Sequence, residues 1–290
     1  MSFTSWVIRR TFKRNDDKRD AGLVTPEGVE RFDDLRYGPD VRENVLDVYR
    51  PKGVAGKLPV IVSIHGGGWV YGDKERYQYY CMSLAEHGFA VVNFTYRLAP
   101  KHKYPAPLED SNLVFTWIFE NSETYGFDIK NIFAVGDSAG GHLLGLYCCL
   151  CTDEEFAKTL PFRAPAGFCP RAVGLNCGVY KMERNAGRDK LLANFLPKKG
   201  TREELELISV TNHVNGKFPP AFVMTAEGDF LIDQAKMFTE LLKANCVEAE
   251  YHYYGDKDHV LGHVFHCNMR LDEAKRCNKD ECDFFKRFIA

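Results

Sequence analysis

Residues 131–141 read NIFAVGDSAGG, and this stretch contains the clearest fold signal of the chain. Its first half is an apolar run that predicts a buried strand, and residues 141–150 after it are typical of a helix. Between them stands a G-x-S-x-G pattern centred on Ser138. A serine at so sharp a strand-to-helix turn needs a strained backbone, for which the neighbouring glycines leave room. The stretch therefore predicts a serine hydroxyl presented at the edge of a sheet or, since short patterns recur by chance, an ordinary turn.

The composition is that of an ordinary globular protein with no bias toward nucleic acid. The chain has 290 residues, of which 45% are hydrophobic and 27% charged, and its formal net charge is -2. An α/β chain of this length commonly forms one domain. Its one basic cluster, within residues 9–19, is interrupted by Asp16 and Asp17 and predicts a solvated helix face. We expect a single domain over residues 1–290 that acts as a monomer or a homodimer, with a small-molecule substrate.

Neither a membrane anchor nor a metal-binding pattern is predicted. The apolar runs are too short for the hydrophobic region of a signal peptide or for a membrane span, which predicts a cytoplasmic location. Ten cysteines occur without a C-x-x-C pair, and reduced thiols are the default in a chain without an export signal. Cys267, Cys277 and Cys282 could combine with nearby histidines, but their spacing fits no zinc pattern. We expect no metal and no cofactor.

Apolar runs alternate with helical patterns from about residue 44 onward. The predicted strands are residues 45–49, 58–64, 90–96, 132–135, 172–175, 221–225 and 249–254. The predicted helices are residues 77–87, 108–120, 141–150, 234–244 and 271–288. Such alternation predicts the α/β class, with a mostly parallel, doubly wound sheet flanked by helices. The strand at residues 45–49 is the predicted antiparallel edge.

Two segments fall outside that alternation. Residues 1–36 are rich in charge and predicted to be helical, and residues 179–218 form a long insertion after the strand predicted at residues 172–175. Loops of this length within a compact domain usually serve as lids or covers. We interpret the two segments as a small helical cap over the functional site, with two unrelated surface excursions as the alternative.

A glycine-rich segment follows the strand predicted at residues 58–64. Residues 65–69 read HGGGW, so three glycines lie at the carboxyl end of a strand, where open α/β sheets place their ligands. Glycine amides that face such a site can stabilise an oxygen that becomes negative during acyl transfer. A phosphate cradle is the alternative, but no nucleotide-binding glycine pattern follows. His65 precedes the serine and is interpreted as a residue that shapes the loop.

Three separated motifs resemble one known family. HGGGW at residues 65–69, YRLAP at 96–100 with LED at 108–110, and GDSAGG at 136–141 are similar to the hormone-sensitive-lipase-like branch of the α/β-hydrolase fold. The resemblance extends from about residue 45 to the C-terminus. It implies carboxylester hydrolysis, an N-terminal cap and no metal. It also implies an oxyanion hole, the backbone amides that stabilise the oxyanion, made by Gly66, Gly67 and Ala139.

The resemblance further implies an acid after the strand at residues 221–225. Residues 229–233 read DFLID, which is similar to the family's D-P-L-x-D with Phe230 in place of proline. The first aspartate of that pattern has the catalytic role, so Asp229 is the predicted acid. Asp233 better suits the first turn of the following helix, where a negative charge is favoured.

Three histidines compete for the role of the base. Residues 258–266 read DHVLGHVFH and contain His259, His263 and His266. Family members resemble H-G-F here, and His263 keeps the histidine and the phenylalanine of that pattern. Counting back from the last helix favours His263, whereas counting from the end of the preceding strand favours His259. We predict His263, with His259 as the alternative and His266 third.

The predicted function is hydrolysis of small or short-chain esters, including acetyl esters, by Ser138 with His263 and Asp229. Aromatic residues flank the motifs and could line an apolar pocket: Trp69, Tyr71, Phe230 and Phe265. An amidase or peptidase with the same three residues is an alternative, because amide hydrolysis differs mainly in protonation of the leaving group. A non-catalytic, hydrolase-like ligand-binding protein is an alternative of another class.

Overall fold

The computed structural model describes residues 2–185 and 187–290. These residues contain an eight-stranded sheet. The strands are β1 (Val29–Arg36), β2 (Val45–Pro51), β3 (Leu58–Ile64), β4 (Ala90–Thr95), β5 (Phe127–Asp137), β6 (Val173–Asn176), β7 (Ala221–Ala226) and β8 (Ala249–Tyr254). Their order across the sheet is β1-β2-β4-β3-β5-β6-β7-β8. The β1–β2 and β2–β4 pairs are antiparallel, and the other pairs are parallel. The predicted α/β class with a mostly parallel sheet is confirmed.

Helices cover both faces of this sheet. Within the described residues they are α1 (Phe3–Asp20), α2 (Lys74–Ala85), α3 (Ala106–Glu120), α4 (Ser122–Tyr125), α5 (Ala139–Thr152), α6 (Glu154–Lys158), α7 (Asp189–Phe195), α8 (Arg202–Ile208), α9 (Ile232–Ala244) and α10 (Asp272–Lys286), with 3-10 turns at Val210–Asn212 and Phe265–Cys267. Leu143 of α5 and Phe238 of α9 belong to the apolar core on one face, whereas Met82 of α2 and Phe285 of α10 belong to the core on the other. Alternate residues of β3 enter the two cores, because successive side chains of a strand point to opposite faces.

The first strand corrects two predictions. Residues 29–36, predicted to be helical, form β1, and the strand at residues 45–49, predicted as the sheet edge, lies between β1 and β4. β1 pairs with β2 from Val29 opposite Pro51 to Arg36 opposite Val45. The charged side chains of β1 suit an edge strand, because charge discourages pairing with other chains. The helix prediction was wrong because the local charge pattern resembles a helix face, whereas the strand is stabilised by hydrogen bonds to β2.

Helix α1 is held close to the glycine-rich loop by polar contacts. The Arg9 guanidinium donates to the Val70 carbonyl oxygen at 2.6 Å, and the Tyr71 hydroxyl donates to Asp16 at 2.7 Å. α1 also packs against α7, which belongs to the insertion at residues 179–218. Two segments that are distant in sequence therefore meet next to the loop, while their action as a cap stays a prediction.

The turn from β5 into α5 brings two backbones so close that glycine is required at position 140. A Cβ at Gly140 would overlap the carbonyl oxygen of Ile64 and lie 2.7 Å from that of His65. Gly140→Ala is expected to lower the free energy of unfolding by about 3 kcal/mol or more, because β3 and α5 would have to separate. Urea unfolding measures this loss. Gly28→Ala is the control, since a Cβ there meets nothing within 4 Å, and equal losses in the two variants would contradict the packing argument.

Candidate active site

Ser138 occupies a strained turn between β5 and α5. Its backbone has φ 50° and ψ -114°, a conformation that residues with a Cβ rarely adopt. The Ser138 amide donates to the carbonyl oxygen of Asn176 at 2.9 Å, so the neighbouring strand β6 supports the turn. The side chain is partly exposed and lines a cavity. This geometry is the strand-to-helix turn that the sequence pattern predicts.

Asp229 and His263 form a hydrogen-bonded pair beside the same cavity. Nδ1 of His263 lies 2.6 Å from Oδ1 of Asp229, which also accepts from the Leu231 amide at 2.9 Å. The Thr225 hydroxyl donates to the other carboxylate oxygen at 2.8 Å. Burial raises the pKa of Asp229, but the hydrogen bond and charge of His263, with these two further donors, outweigh burial and lower it overall. Asp229 is therefore ionised at neutral pH and fixes the orientation of the imidazole.

The other two candidate histidines lie elsewhere. His259 has a side chain that is 58% exposed and pairs with Glu273 at 2.8 Å, outside the cavity lining, which disfavours the alternative prediction of His259 as the base. His266 is fully buried with its ring 4.9 Å from that of Tyr80. Burial and then the charge of His263 lower the pKa of His266 to about 3. Only His263 among these three contacts an acid and the cavity together.

The backbone amide of Gly66, the first glycine of the loop, already donates hydrogen bonds to other residues. The Gly66 amide donates to Asp137 at 3.0 Å and to the Tyr77 hydroxyl at 2.9 Å. The Tyr77 hydroxyl donates in turn to Asp137 at 2.8 Å. The Gly66 amide is therefore engaged by Asp137 and Tyr77, which disfavours its predicted contribution to an oxyanion hole. Tyr77 is a partner that the sequence analysis missed.

The next two amides of the loop are available. Gly67 and Gly68 have φ of 107° and 60°, in the left-handed region that favours glycine, and both line the cavity. Within the described residues, neither amide donates a hydrogen bond. Ala139 begins α5, so its amide has no acceptor inside that helix. Three free amides therefore surround the cavity end next to Ser138.

His65 shapes this loop, as predicted. It is fully buried, its Nδ1 donates to the Gly66 carbonyl oxygen at 2.8 Å, and its ring stacks on Tyr96 at 4.0 Å. Burial lowers the pKa of His65 to about 4, so the imidazole is neutral.

A cavity of about 580 Å³ adjoins Ser138. A volume of this size is typical of small-molecule sites. The four aromatic residues that flank the motifs all line it: Trp69, Tyr71, Phe230 and Phe265. Phe230 is 74% exposed, and its ring centroid lies 4.2 Å from that of His263, so it forms the rim. The cavity thus combines an apolar wall with the polar groups of Ser138 and His263.

Eight further lining residues come from the two segments outside the strand–helix alternation. α1 contributes Ile8, Phe12, Asn15, Asp16 and Arg19, and the insertion contributes Val179, Arg188 and Leu191. The sequence analysis assigned none of these residues to a binding site. The spacing of three or four residues along α1 is the signal that could have identified one helix face.

Asp229 and His263 also lie close to a thiol. Ligand atoms of Cys177, Asp229 and His263 lie within 4.8 Å of one another. Burial and then the charge of Asp229 raise the pKa of the Cys177 thiol well above its ordinary value. The cluster is explained by the hydrogen bond between Asp229 and His263, and the expectation of no metal stays a prediction.

A buried carboxyl group lies behind the serine turn and was missed by the sequence analysis. Glu281 of α10 accepts from the Asn176 side chain at 2.8 Å and from the Tyr80 hydroxyl at 2.8 Å. The Asn176 carbonyl in turn accepts from Ser138. Burial raises the pKa of Glu281 to about 7, against the lowering effect of both hydrogen bonds.

Replacement of this carboxyl group is expected to change how stability depends on pH. The pKa of Glu281 is about 7 in the folded chain against 4.5 ordinarily. Its contribution to the free energy of unfolding is therefore complete below pH 4.5 and is lost as pH rises through 7. Glu281→Gln does not titrate. Relative to the wild type, its free energy of unfolding should therefore rise by roughly 3 kcal/mol between pH 4.5 and pH 8. Urea unfolding across this range measures it. The exposed Glu240→Gln should show no such trend, and parallel curves for Glu281→Gln would contradict the prediction.

Comparisons with known proteins agree on one family. A family described as an alpha/beta hydrolase fold matches residues 61–263. The versiconal hemiacetal acetate esterase of Dothistroma septosporum is 31% identical over 77% of this chain and 74% of its own length. The carboxylesterase NlhH of Mycobacterium tuberculosis is 33% identical over 76% of this chain and 72% of its own length.

Solved structures extend the likeness to the whole chain. Esterase B from Lactobacillus rhamnosis, with a C4-C4 tributyrin phosphonate inhibitor, has a TM-score of 0.88 and 26% identity, covering 98% of this chain and 94% of its own. The same esterase with a C6-C4 inhibitor has a TM-score of 0.87 and 25% identity, covering 98% and 95%. Among the described helices, none combines the length and the apolar character that crossing a membrane requires.

Proposed function

The chain belongs to the α/β-hydrolase family and is a serine carboxylic ester hydrolase, and from this premise we propose that Ser138, His263 and Asp229 are its catalytic triad. The observation on which the assignment rests is the 2.6 Å contact between His263 and Asp229, at a cavity that Ser138 also lines. The contact uses Nδ1 of the imidazole and leaves Nε2 for the serine. An intact acid–base pair is unexpected in a protein that only binds a ligand.

The reaction follows from these positions. Ser138 Oγ attacks the ester carbonyl while Nε2 of His263 takes its proton, and ionised Asp229 stabilises the imidazolium. His263 then protonates the leaving alcohol, which departs and leaves an acyl-enzyme. Water, activated by the same imidazole, attacks the acyl carbonyl and releases the acid and the free serine.

The tetrahedral oxyanion is stabilised by the amides of Gly67, Gly68 and Ala139. Gly68 takes the place of Gly66, whose amide is occupied by Asp137. Each donor of this kind typically contributes about a hundredfold to a thousandfold in kcat. The two glycine conformations orient the amides before substrate arrives, so no reorganisation is needed during the reaction.

The substrates are small or short-chain esters. The cavity of about 580 Å³ suits a small molecule, and its rim and wall are aromatic and aliphatic. Two relatives support this choice, one being an acetate esterase by name and the other an esterase inhibited by a tributyrin phosphonate. We include α1 and residues 179–218 in the proposal as the cap of a single domain, because both supply the cavity wall.

A series of para-nitrophenyl esters from acetyl to palmitoyl tests the proposal. The value of kcat/KM should be highest for the short acyl chains and should fall steeply for the longest, because the cavity of about 580 Å³ is too small to enclose a long acyl chain. A matched para-nitroanilide should be hydrolysed far more slowly, which would separate an esterase from an amidase. Comparable rates for all chain lengths would contradict the short-chain assignment, and preference for the anilide would contradict the ester assignment.

A further inference from the structure

Arg188 stands in the wall of the cavity, in the segment next to the glycine-rich loop. It immediately precedes α7, and Leu191 lies one turn further along the chain. The Leu191 side chain is 3.5 Å from the position that a Cβ on Gly68 would take, so this segment lies directly over the loop. Both residues line the cavity, and the Arg188 side chain is partly buried there.

The guanidinium of Arg188 has no counterion in the described part of the chain. Its backbone amide donates to Asn185, but no described side chain or carbonyl group accepts from its guanidinium. Glu183 attracts it only from a distance, since Glu183 is 58% exposed and pairs with Lys181 at 2.6 Å. Burial lowers the pKa of Arg188, and the charge of Glu183 raises it by less. A partly desolvated cation without a partner is unfavourable until an anion binds.

The carboxylates in the cavity wall are already bound to other groups. Asp16 pairs with Arg19 at 3.1 Å and accepts from the Tyr71 hydroxyl. Asp137 accepts from Tyr77 and from the Gly66 amide, as described above. Neither carboxylate pairs with Arg188, and Arg19 is neutralised by its own aspartates. The positive charge of Arg188 is therefore unmatched among the described lining residues.

We infer that Arg188 is a specificity-determining residue that binds a carboxylate on the substrate, remote from the ester bond. This inference rests on the proposed ester hydrolysis and names its substrate class: esters with an apolar body and a carboxylate. The planar guanidinium fork matches a carboxylate with two parallel hydrogen bonds, which a neutral ester cannot accept in the same way. Ile8, Phe12 and Leu191 supply the apolar surface for the body of such a molecule.

Two matched pairs of esters test the inference, one with the charge in the acyl part and one with it in the alcohol part. Phenyl hydrogen glutarate is compared with phenyl valerate, and meta-butyryloxybenzoate with meta-butyryloxybenzamide. The wild type should prefer the charged member of at least one pair. Arg188→Gln should lower the ratio of kcat/KM for that charged ester to kcat/KM for its neutral partner by about tenfold to a hundredfold, because a charge-assisted hydrogen bond is lost.

Arg184→Gln is the matched control. Arg184 lies in the same segment, but its side chain is 62% exposed, pairs with Asp189 and does not line the cavity. This variant should leave the charged-to-neutral ratio unchanged. Arg188→Lys should restore part of the preference, since a lysine keeps the charge but not the fork.

The outcomes separate this inference from the proposed function. If the wild type hydrolyses the neutral esters but prefers neither charged one, or if Arg188→Gln leaves the ratio unchanged, the inference is overturned while ester hydrolysis stands. If no ester is hydrolysed, the proposed function fails. In that case, calorimetry still tests whether Arg188 binds a carboxylate. It compares the affinity of meta-butyryloxybenzoate for Ser138→Ala with its affinity for the double variant that also carries Arg188→Gln. Equal affinity in the two would overturn the anion site.

Discussion

Ser138→Ala is expected to lower kcat on para-nitrophenyl butyrate by about a hundred-thousandfold while the fold stays intact. The substitution removes the oxygen that forms the acyl-enzyme, and no neighbouring side chain can replace it at the end of β5. The residual rate should come from binding and from the oxyanion amides. Because alanine and serine both have a Cβ, the strain at φ 50° is the same in the two proteins. The free energy of unfolding should therefore change by less than about 0.5 kcal/mol.

The control for this variant is Ser83→Ala on α2. The Ser83 hydroxyl donates to the Tyr80 carbonyl oxygen, outside the cavity lining. Its kcat should remain within about twofold of the wild type, as is usual for substitutions away from a reacting group. A Ser138→Ala protein that keeps a substantial fraction of wild-type turnover, measured after exclusion of contaminating esterase, would refute the assignment of the nucleophile.

His263→Ala is expected to have an effect of the same order, about a hundred-thousandfold in kcat, because nucleophile and base act as a unit. Without the imidazole, the serine proton has no acceptor and the leaving alcohol has no donor. The buried Asp229 would also lose the hydrogen bond that offsets its burial. We therefore expect a moderate loss of stability of about 1–3 kcal/mol beside the loss of activity.

His259→Ala is the matched control, since His259 lies four residues away in the same loop. Its side chain is exposed and pairs with Glu273, so kcat should stay within about twofold of the wild type. Initial rates at saturating substrate distinguish the two variants directly. An inactive His259→Ala together with a nearly normal His263→Ala would overturn the assignment of the base and leave the family membership untouched.

The serine turn could be predicted because its residues are neighbours in sequence. An apolar run that ends in a glycine and a serine followed by a helical pattern already contains the strand, the turn and the helix. The structure places Ser138 in the strained conformation that this order requires. The strand β1 was not predictable in the same way, since its charged residues show no apolar alternation and its stability comes from pairing with β2.

The choice between histidines illustrates the limit of local reasoning. The loop between the preceding strand and the last helix does not follow a regular repeat. The distance from the strand therefore favours His259, whereas the distance from the helix favours His263. In the folded chain, Val264 has a φ of 55° and precedes the short helical turn at Phe265–Cys267. His263, immediately before Val264, contacts Asp229. His259 instead reaches outward to Glu273.

The sequence by itself determined the α/β class, the serine turn, the glycine-rich loop and the family, because each of these depends on residues that are adjacent along the chain. Only the tertiary structure decided which amides of the loop are free, which histidine contacts Asp229 and which residues form the cavity wall. Asp229 and His263 are 34 residues apart, and Gly66 and Asp137 are 71 apart. Contacts between such distant segments depend on strand order and helix packing, and no local pattern encodes them. Arg188 is the clearest case, since an isolated arginine in a loop becomes a candidate carboxylate-binding residue only when the fold places it in the cavity wall, next to α7.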